Sequence, residues 1–222
     1  MRTDEQIQHD VQEELKWQPF LNSTEIGVAV KEGVVTLSGT VDSYSKKLAA
    51  ERAAKEVKGV LAVAEDIEVR VLPNSVKSDT DLAAAALHAV KWHSIVQDER
   101  LKIKVDDGWV TLEGEADWGF QKEAAASAIE NLTGVKGVIN NIRITPRVGI
   151  KDVKRQVSLA FHRSATLDAD KIKIDTVGDT VVLTGKVRSL AEKRDAEKAA
   201  WRTPGVRGVE NKLSVSLEVF AM

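Results

Sequence analysis

The chain has 222 residues, 43% hydrophobic, 30% charged and 5% aromatic, the balance of a folded globular protein rather than a disordered or fibrous one. Its 32 Lys+Arg against 34 Asp+Glu leave a formal charge of -2, which argues against a DNA-coating role, so no nucleic-acid partner is expected. The lack of cysteine excludes disulfide frameworks, Cys-ligated zinc, iron–sulfur clusters and thiol catalysis.

Near the N-terminus, Thr3-Asp4-Glu5-Gln6 reads as a capping box. The Thr3 hydroxyl is placed to accept from the Gln6 amide while the Gln6 side chain reaches back. Ile7, Val11 and Leu15 then recur at helical spacing, which predicts a helix from Asp4 to about Trp17 with one buried stripe. No apolar run of the kind a secretory signal needs follows the basic start, so a cytoplasmic location is expected. A periplasmic one is the alternative if the sequence is a trimmed mature form. No membrane-spanning segment is expected.

Next come Ile26, Val28 and Val30 in strand alternation, the pair Glu32-Gly33 at a tight turn, and a second strand, Val34-Val35-Thr36-Leu37-Ser38-Gly39. An alanine-rich helix from Leu48 to Val57 is predicted to close on Gly59 as its cap. A third strand carries Ile67 and Val69. The order is α-β-β-α-β.

The whole pattern then repeats at offsets of 75 and 71 residues. Gly108-Trp109-Val110-Thr111-Leu112-Glu113-Gly114 and Asp179-Thr180-Val181-Val182-Leu183-Thr184-Gly185 align with Gly33 to Gly39. The same offsets bring Gly59-Val60 onto Gly134-Val135 and Gly205-Val206. First helices are predicted over Asp79 to Trp92 and Lys151 to Arg163, with turns at Asp107-Gly108 and Gly178-Asp179. Three domains follow, 1–72, 77–146 and 149–219. The fold class is α+β: three tandem units, each a three-stranded mixed sheet with two helices on one face and the other face open. Strand order stays undetermined. Units of about 70 residues bury only roughly 60% of their unfolded surface, so packing of one unit on another is expected.

This pattern, an acidic or glycine turn, two apolar residues, Thr-Leu-small-Gly, then a helix and Gly-Val, resembles the BON domain, named for bacterial osmotic-stress and nodulation proteins. The resemblance covers nearly the whole chain, three times over. It implies a non-enzymatic module of bacterial envelope and stress proteins that interacts with phospholipid membranes or with other proteins, and no cofactor.

No residue pattern points to catalysis. His9, His88, His93 and His162 occupy no equivalent positions, His88 and Trp92 read as a surface pair one helical turn apart, and no H-E-x-x-H, G-x-S-x-G or Walker-type sequence occurs. Neither a catalytic residue nor a metal site is expected.

Positions that differ between copies are the candidates for specific function. Trp201 replaces Lys55 and Glu130, and Arg194, Lys198 and Arg202 follow its helix at four-residue spacing. This composition suits a helix lying on an anionic membrane; the other reading is ordinary solubilising charges beside a tryptophan packed on a neighbouring unit. Lys186 and Arg188 extend the candidate lipid- or anion-binding set.

Residues 149–222 carry 14 Lys+Arg against 10 Asp+Glu, whereas residues 1–72 carry 9 against 13. That asymmetry suits an anionic phospholipid surface, or head-to-tail association within or between chains. Trp109, on the open face of its sheet, and Trp118, before its helix, are candidate interface residues for a protein partner, including a second copy in a homo-oligomer. Trp17 and Trp92 coincide under the repeat and are expected to close their helices structurally.

Overall fold

The computed structural model describes residues 2–73, 76–92, 100–145, 153–164, 167–178 and 180–216. Helix α1 (Asp4–Lys16) starts at the expected capping box: the Gln6 backbone N–H donates to Thr3 Oγ1 at 3.3 Å and the Thr3 N–H to Gln6 Oε1 at 3.1 Å. Its buried residues are Ile7, Val11 and Leu15. Strands β1 (Ile26–Lys31) and β2 (Val34–Val41) form the hairpin, α2 (Tyr44–Glu56) crosses over, and β3 (Ala62–Val69) completes the sheet. The second unit has α3 (Asp79–Trp92), β4 (Leu101–Asp106), β5 (Trp109–Ala116), α4 (Gly119–Glu130) and β6 (Gly137–Ile144). The third has α5 (Val153–His162), β7 (Ile172–Val177), β8 (Thr180–Val187), α6 (Leu190–Trp201) and β9 (Gly208–Val215).

Every sheet places the middle strand of its unit at the centre, antiparallel to the strand before it and parallel to the strand after it. The parallel pairing follows from the helical crossover, since two adjacent parallel strands cannot be joined by a tight turn. Each unit keeps its own apolar core between sheet and helices, with Leu37, Leu112 and Leu183 fully buried at equivalent positions. Truncating any of them to alanine removes about 2–5 kcal/mol.

Two local readings are corrected. The middle strands do not end at Gly39, Gly114 and Gly185 but run two residues further. These glycines have φ of 133°, 124° and 127°. A Cβ there would lie 2.0–2.2 Å from the carbonyl oxygen of Glu25, Arg100 or Lys171, so they permit close approach of the hairpin rather than stop the strand. Helix α2 begins at Tyr44, a turn earlier than predicted, and its cap is Val57; Gly59, at φ 96°, turns the chain two residues later.

An acidic side chain at the first position of the first helix latches the hairpin in two units. The Asp4 carboxylate accepts from the backbone N–H of Glu32 (2.7 Å) and Gly33 (3.0 Å), and Asp79 accepts from Asp107 (2.8 Å) and Gly108 (3.0 Å). The turn residues Glu32 and Asp107 have positive φ, so their amides point outward and need this acceptor. Asp179 of the third turn lies outside the described residues.

Candidate functional site

The three second helices determine how the units meet. Each turns an alanine-rich side to its own sheet: Ala50, Ala53 and Ala54 in α2, Ala125 with Ile129 in α4, Ala196 with Ala200 in α6. Alanine on that side lets the helix lie close to the strands, and larger or charged side chains are left on the opposite side. Helix α6 packs against both α2 and α4 through this opposite side.

The first residues of these helices, Tyr44, Gly119 and Leu190, occupy equivalent positions, and each meets the next unit in cyclic order. Tyr44 packs against the core of the second unit, and burial raises its hydroxyl above the usual phenol range, with Glu130 adding to the rise. Gly119 receives Trp201 of the third unit: a Cβ on the glycine would lie 2.7 Å from the Trp201 Cβ and 2.8 Å from its carbonyl oxygen. Leu190 packs against the core of the first unit. The three units therefore form a closed head-to-tail ring within one chain. A salt bridge from Arg52 to Glu130, 3.0 Å, reinforces the first joint.

A cleft of about 440 Å³ lies where the three helices converge, lined among others by Lys122, Asn140, Arg194, Lys198 and Trp201. Trp201 is half-buried and also packs against its own unit's core. The polar residues at the equivalent positions therefore do not imply a solvent-facing Trp201: Glu130 pairs with Arg52 across the first joint, and Lys55 with Glu51 on its own helix. Arg194 and Lys198 are half-buried with it, while Arg202, Lys186 and Arg188 lie on the exposed surface. The structure therefore divides the candidate anion-binding residues into a cleft group and a surface group.

Arg188 is committed to Glu192. Glu192 Oε2 accepts from the Arg188 backbone N–H at 2.7 Å and from its guanidinium at 3.1 Å, and Oε1 from the Asp168 backbone at 3.1 Å. Burial alone would raise the Glu192 pKa, but these donors outweigh it and the carboxyl titrates below its ordinary range. In the second unit Gln121 takes the same place, accepting from the amides of Asp117 (3.0 Å) and Trp118 (3.1 Å).

Among the aromatics, Trp109 is 47% exposed on the open sheet face, lying over Gly137 beside exposed Ile139. Trp118 is half-buried at the start of α4, stacked on Phe120 with ring centroids 6.0 Å apart. Trp17 closes its helix as the C-terminal cap, as expected, its backbone N–H donating to the Glu13 carbonyl, while the indoles of Trp17 and Trp92 are 79% and 78% exposed. The Trp92 Nε1–H donates to His88 Nε2 at 2.8 Å, a surface pair as expected. His93 lies outside the described residues. Among the described residues no group of three or more His, Asp and Glu is placed to hold a metal, and no helix is long and apolar enough to cross a membrane.

Comparing copies for mismatches missed two groups of residues. Lys122 is matched by Lys47 and Lys193 and does not stand out as a difference, and Trp17 is matched by Trp92, with Arg163 in the third copy. Their signal is an amphipathic side chain repeated where no core position requires it.

The repeated unit is a BON domain, matched at residues 3–71, 78–146 and 151–216, and the chain belongs to that family. It is 34% identical over 127 residues to the osmotically-inducible protein Y of Escherichia coli, a match spanning 55% of this chain and 63% of that protein. It is 32% identical over 122 residues to an uncharacterized protein in the gshII 5' region of Anaplasma centrale, spanning 54% of this chain and 81% of that one. Among solved structures, CdsD, a structural protein of the type III secretion system of Chlamydia trachomatis, overlaps 94% of this chain and 91% of its own at 12% identity, with a TM-score of 0.26. The PrgH periplasmic domain overlaps 88% and 96% at 10% identity, with a TM-score of 0.22. Overlap at those scores has no bearing on function.

Proposed function

We propose that this chain is a non-enzymatic binding protein of the bacterial envelope that serves osmotic stress by associating with anionic phospholipid surfaces. The family and the osmotically-inducible relative support the setting. The observation that carries the lipid reading is the pair Trp17 and Trp92, each presenting nearly four-fifths of its surface to solvent at the end of a first helix, directly after Lys16 and Lys91. An indole is apolar with one polar N–H and partitions to the headgroup level of a bilayer, where a neighbouring lysine meets phosphate. Burying such a side chain contributes about 1.5–3 kcal/mol, and each cation near an anionic surface contributes about 1 kcal/mol. The tryptophans therefore outweigh any single charge, with Lys186 and Arg202 of the basic third unit adding the salt-dependent part.

Flotation with phosphatidylglycerol and cardiolipin vesicles at low salt tests this. Wild-type protein floats, and the Trp17→Ala/Trp92→Ala variant loses binding by about tenfold or more, as expected for two lost anchors. Wild type that stays with the soluble fraction, or a double variant that floats undiminished, defeats the reading.

A second reading, a scaffold for protein chains including its own, is favoured by the Trp109 and Ile139 patch on the second unit's open sheet face. Light scattering over a concentration series tests self-association, which fails if the mass stays that of one chain.

A further inference from the structure

We infer that the cleft between the three second helices is a binding site for a small phosphate-bearing anion, distinct from the exposed tryptophans on which the lipid reading rests. The cleft is lined by more cations than its own carboxylates neutralise. Arg52 is paired with Glu130 at 3.0 Å, and Glu197 accepts from Asn211 at 3.1 Å. Lys122, Arg194 and Lys198 line the same space with no ion pair or hydrogen-bonded side-chain partner among the described residues. Arg194 Nε is itself buried without a hydrogen-bond partner, and a buried unmatched donor on a charged group is costly unless an acceptor arrives.

Glu123 and Glu197 are the remaining lining carboxylates without an ion pair, so three cations face two anions and the surplus is one positive charge. A bound anion closes this balance. Lys122 is more buried than a solvated lysine, and burial lowers its pKa, a loss that a bound anion reverses.

The chemistry specifies phosphate rather than carboxylate alone. A guanidinium and two ammonium groups converge from two different units, and a tetrahedral group with three or four acceptor oxygens can take donors from several directions at once. Trp201 supplies an apolar wall for whatever the phosphate is attached to. A volume of about 440 Å³ is within the range of small-molecule sites. Because Lys122 belongs to the second unit and Arg194 and Lys198 to the third, the ligand also clamps two units together. The source is either a dissolved phosphate compound or the headgroup of a lipid.

Calorimetric titration of the full chain, in low-salt buffer free of phosphate, tests the site with inorganic pyrophosphate and with glycerol 3-phosphate as probes. Saturable binding of at least one is expected. The Lys122→Gln/Arg194→Gln/Lys198→Gln variant is expected to weaken it by about tenfold or more, while Lys102→Gln/Lys104→Gln on the open face of the second sheet leaves it within about twofold. The charge-preserving variant Arg194→Lys/Lys198→Arg retains binding, which separates lost charge from lost fold. No saturable binding of either probe, or equal affinity in the triple variant, overturns the proposal. Phosphatidylglycerol vesicles that compete with the soluble probe assign the cleft to a headgroup, and vesicles that do not compete assign it to dissolved phosphates. Flotation of the Trp17→Ala/Trp92→Ala variant reads different residues, so either idea can fail while the other stands.

Discussion

The joint between the first and second units and the joint between the second and third use the same helix surfaces in different ways. At the first, Tyr44 lies on the neighbouring core and Arg52 bridges to Glu130. At the second, the position of Tyr44 is Gly119, the position of Glu130 is Trp201, and the indole fills the space that the missing side chain leaves. A large residue on one helix facing a small or polar one on the other, or the reverse, closes the same gap. Side-chain volume is conserved across the joint while its identity is exchanged.

The largest effect is expected from Gly119→Leu, which adds a side chain where even a Cβ meets the Trp201 Cβ at 2.7 Å. Overpacking of this kind costs about 1–3 kcal/mol, and displacing the third unit should also enlarge the particle, measurable as a lower melting temperature with a larger radius of gyration in X-ray scattering. A second substitution, Trp201→Ala, should restore the compact particle to the Gly119→Leu chain if the two positions share one volume; no restoration breaks the comparison.

The third unit, where Glu192 holds the backbone of Arg188 and Asp168, gives a pH-dependent prediction. Glu192 titrates below its ordinary 4.5 in the folded chain. Its contribution is therefore fully present above that value and is lost as pH falls through the lower folded one. Urea midpoints for wild type and Glu192→Gln should differ at pH 7 and converge as pH drops below 4.5; a difference that stays constant with pH contradicts the assignment. The smallest effect is expected at the first joint. The Arg52 side chain is 51% exposed, so a double-mutant cycle on Arg52→Ala and Glu130→Ala should return no more than about 1 kcal/mol of coupling. A larger value would make the ion pair, rather than Tyr44, the main closure of that joint.

The sequence carried the repeat, the element order, the hairpin turns and the inward stripe Ile7, Val11 and Leu15, because spacing and turn chemistry act within a few residues. Less legible was the meeting of the units. Sequence equivalence compares Trp201 with Lys55 and Glu130 as if all three had the same surroundings. In a ring built from non-identical copies each has a different neighbour, so polar partners at two joints say nothing about burial at the third. Trp17 and Trp92 were legible in part: agreement between two copies pointed to a helix end, where Trp17 is the cap, but not to indoles that stand in solvent. The candidate cations divided because residues on one helix face Arg194 and Lys198 into the cleft, whereas Arg202, past the end of α6, and Lys186 and Arg188, before it, remain outside.

Tethering has a consequence for the strength the joints need. Three separate molecules would have to find one another from dilute solution, but here each unit is held by a short stretch of backbone at an effective concentration in the millimolar range. Contacts as slight as one tyrosine, one indole and one leucine are then enough to keep the ring shut. A single unit cut out and produced alone should consequently remain a solitary particle, its second helix bare on the side that once met its siblings.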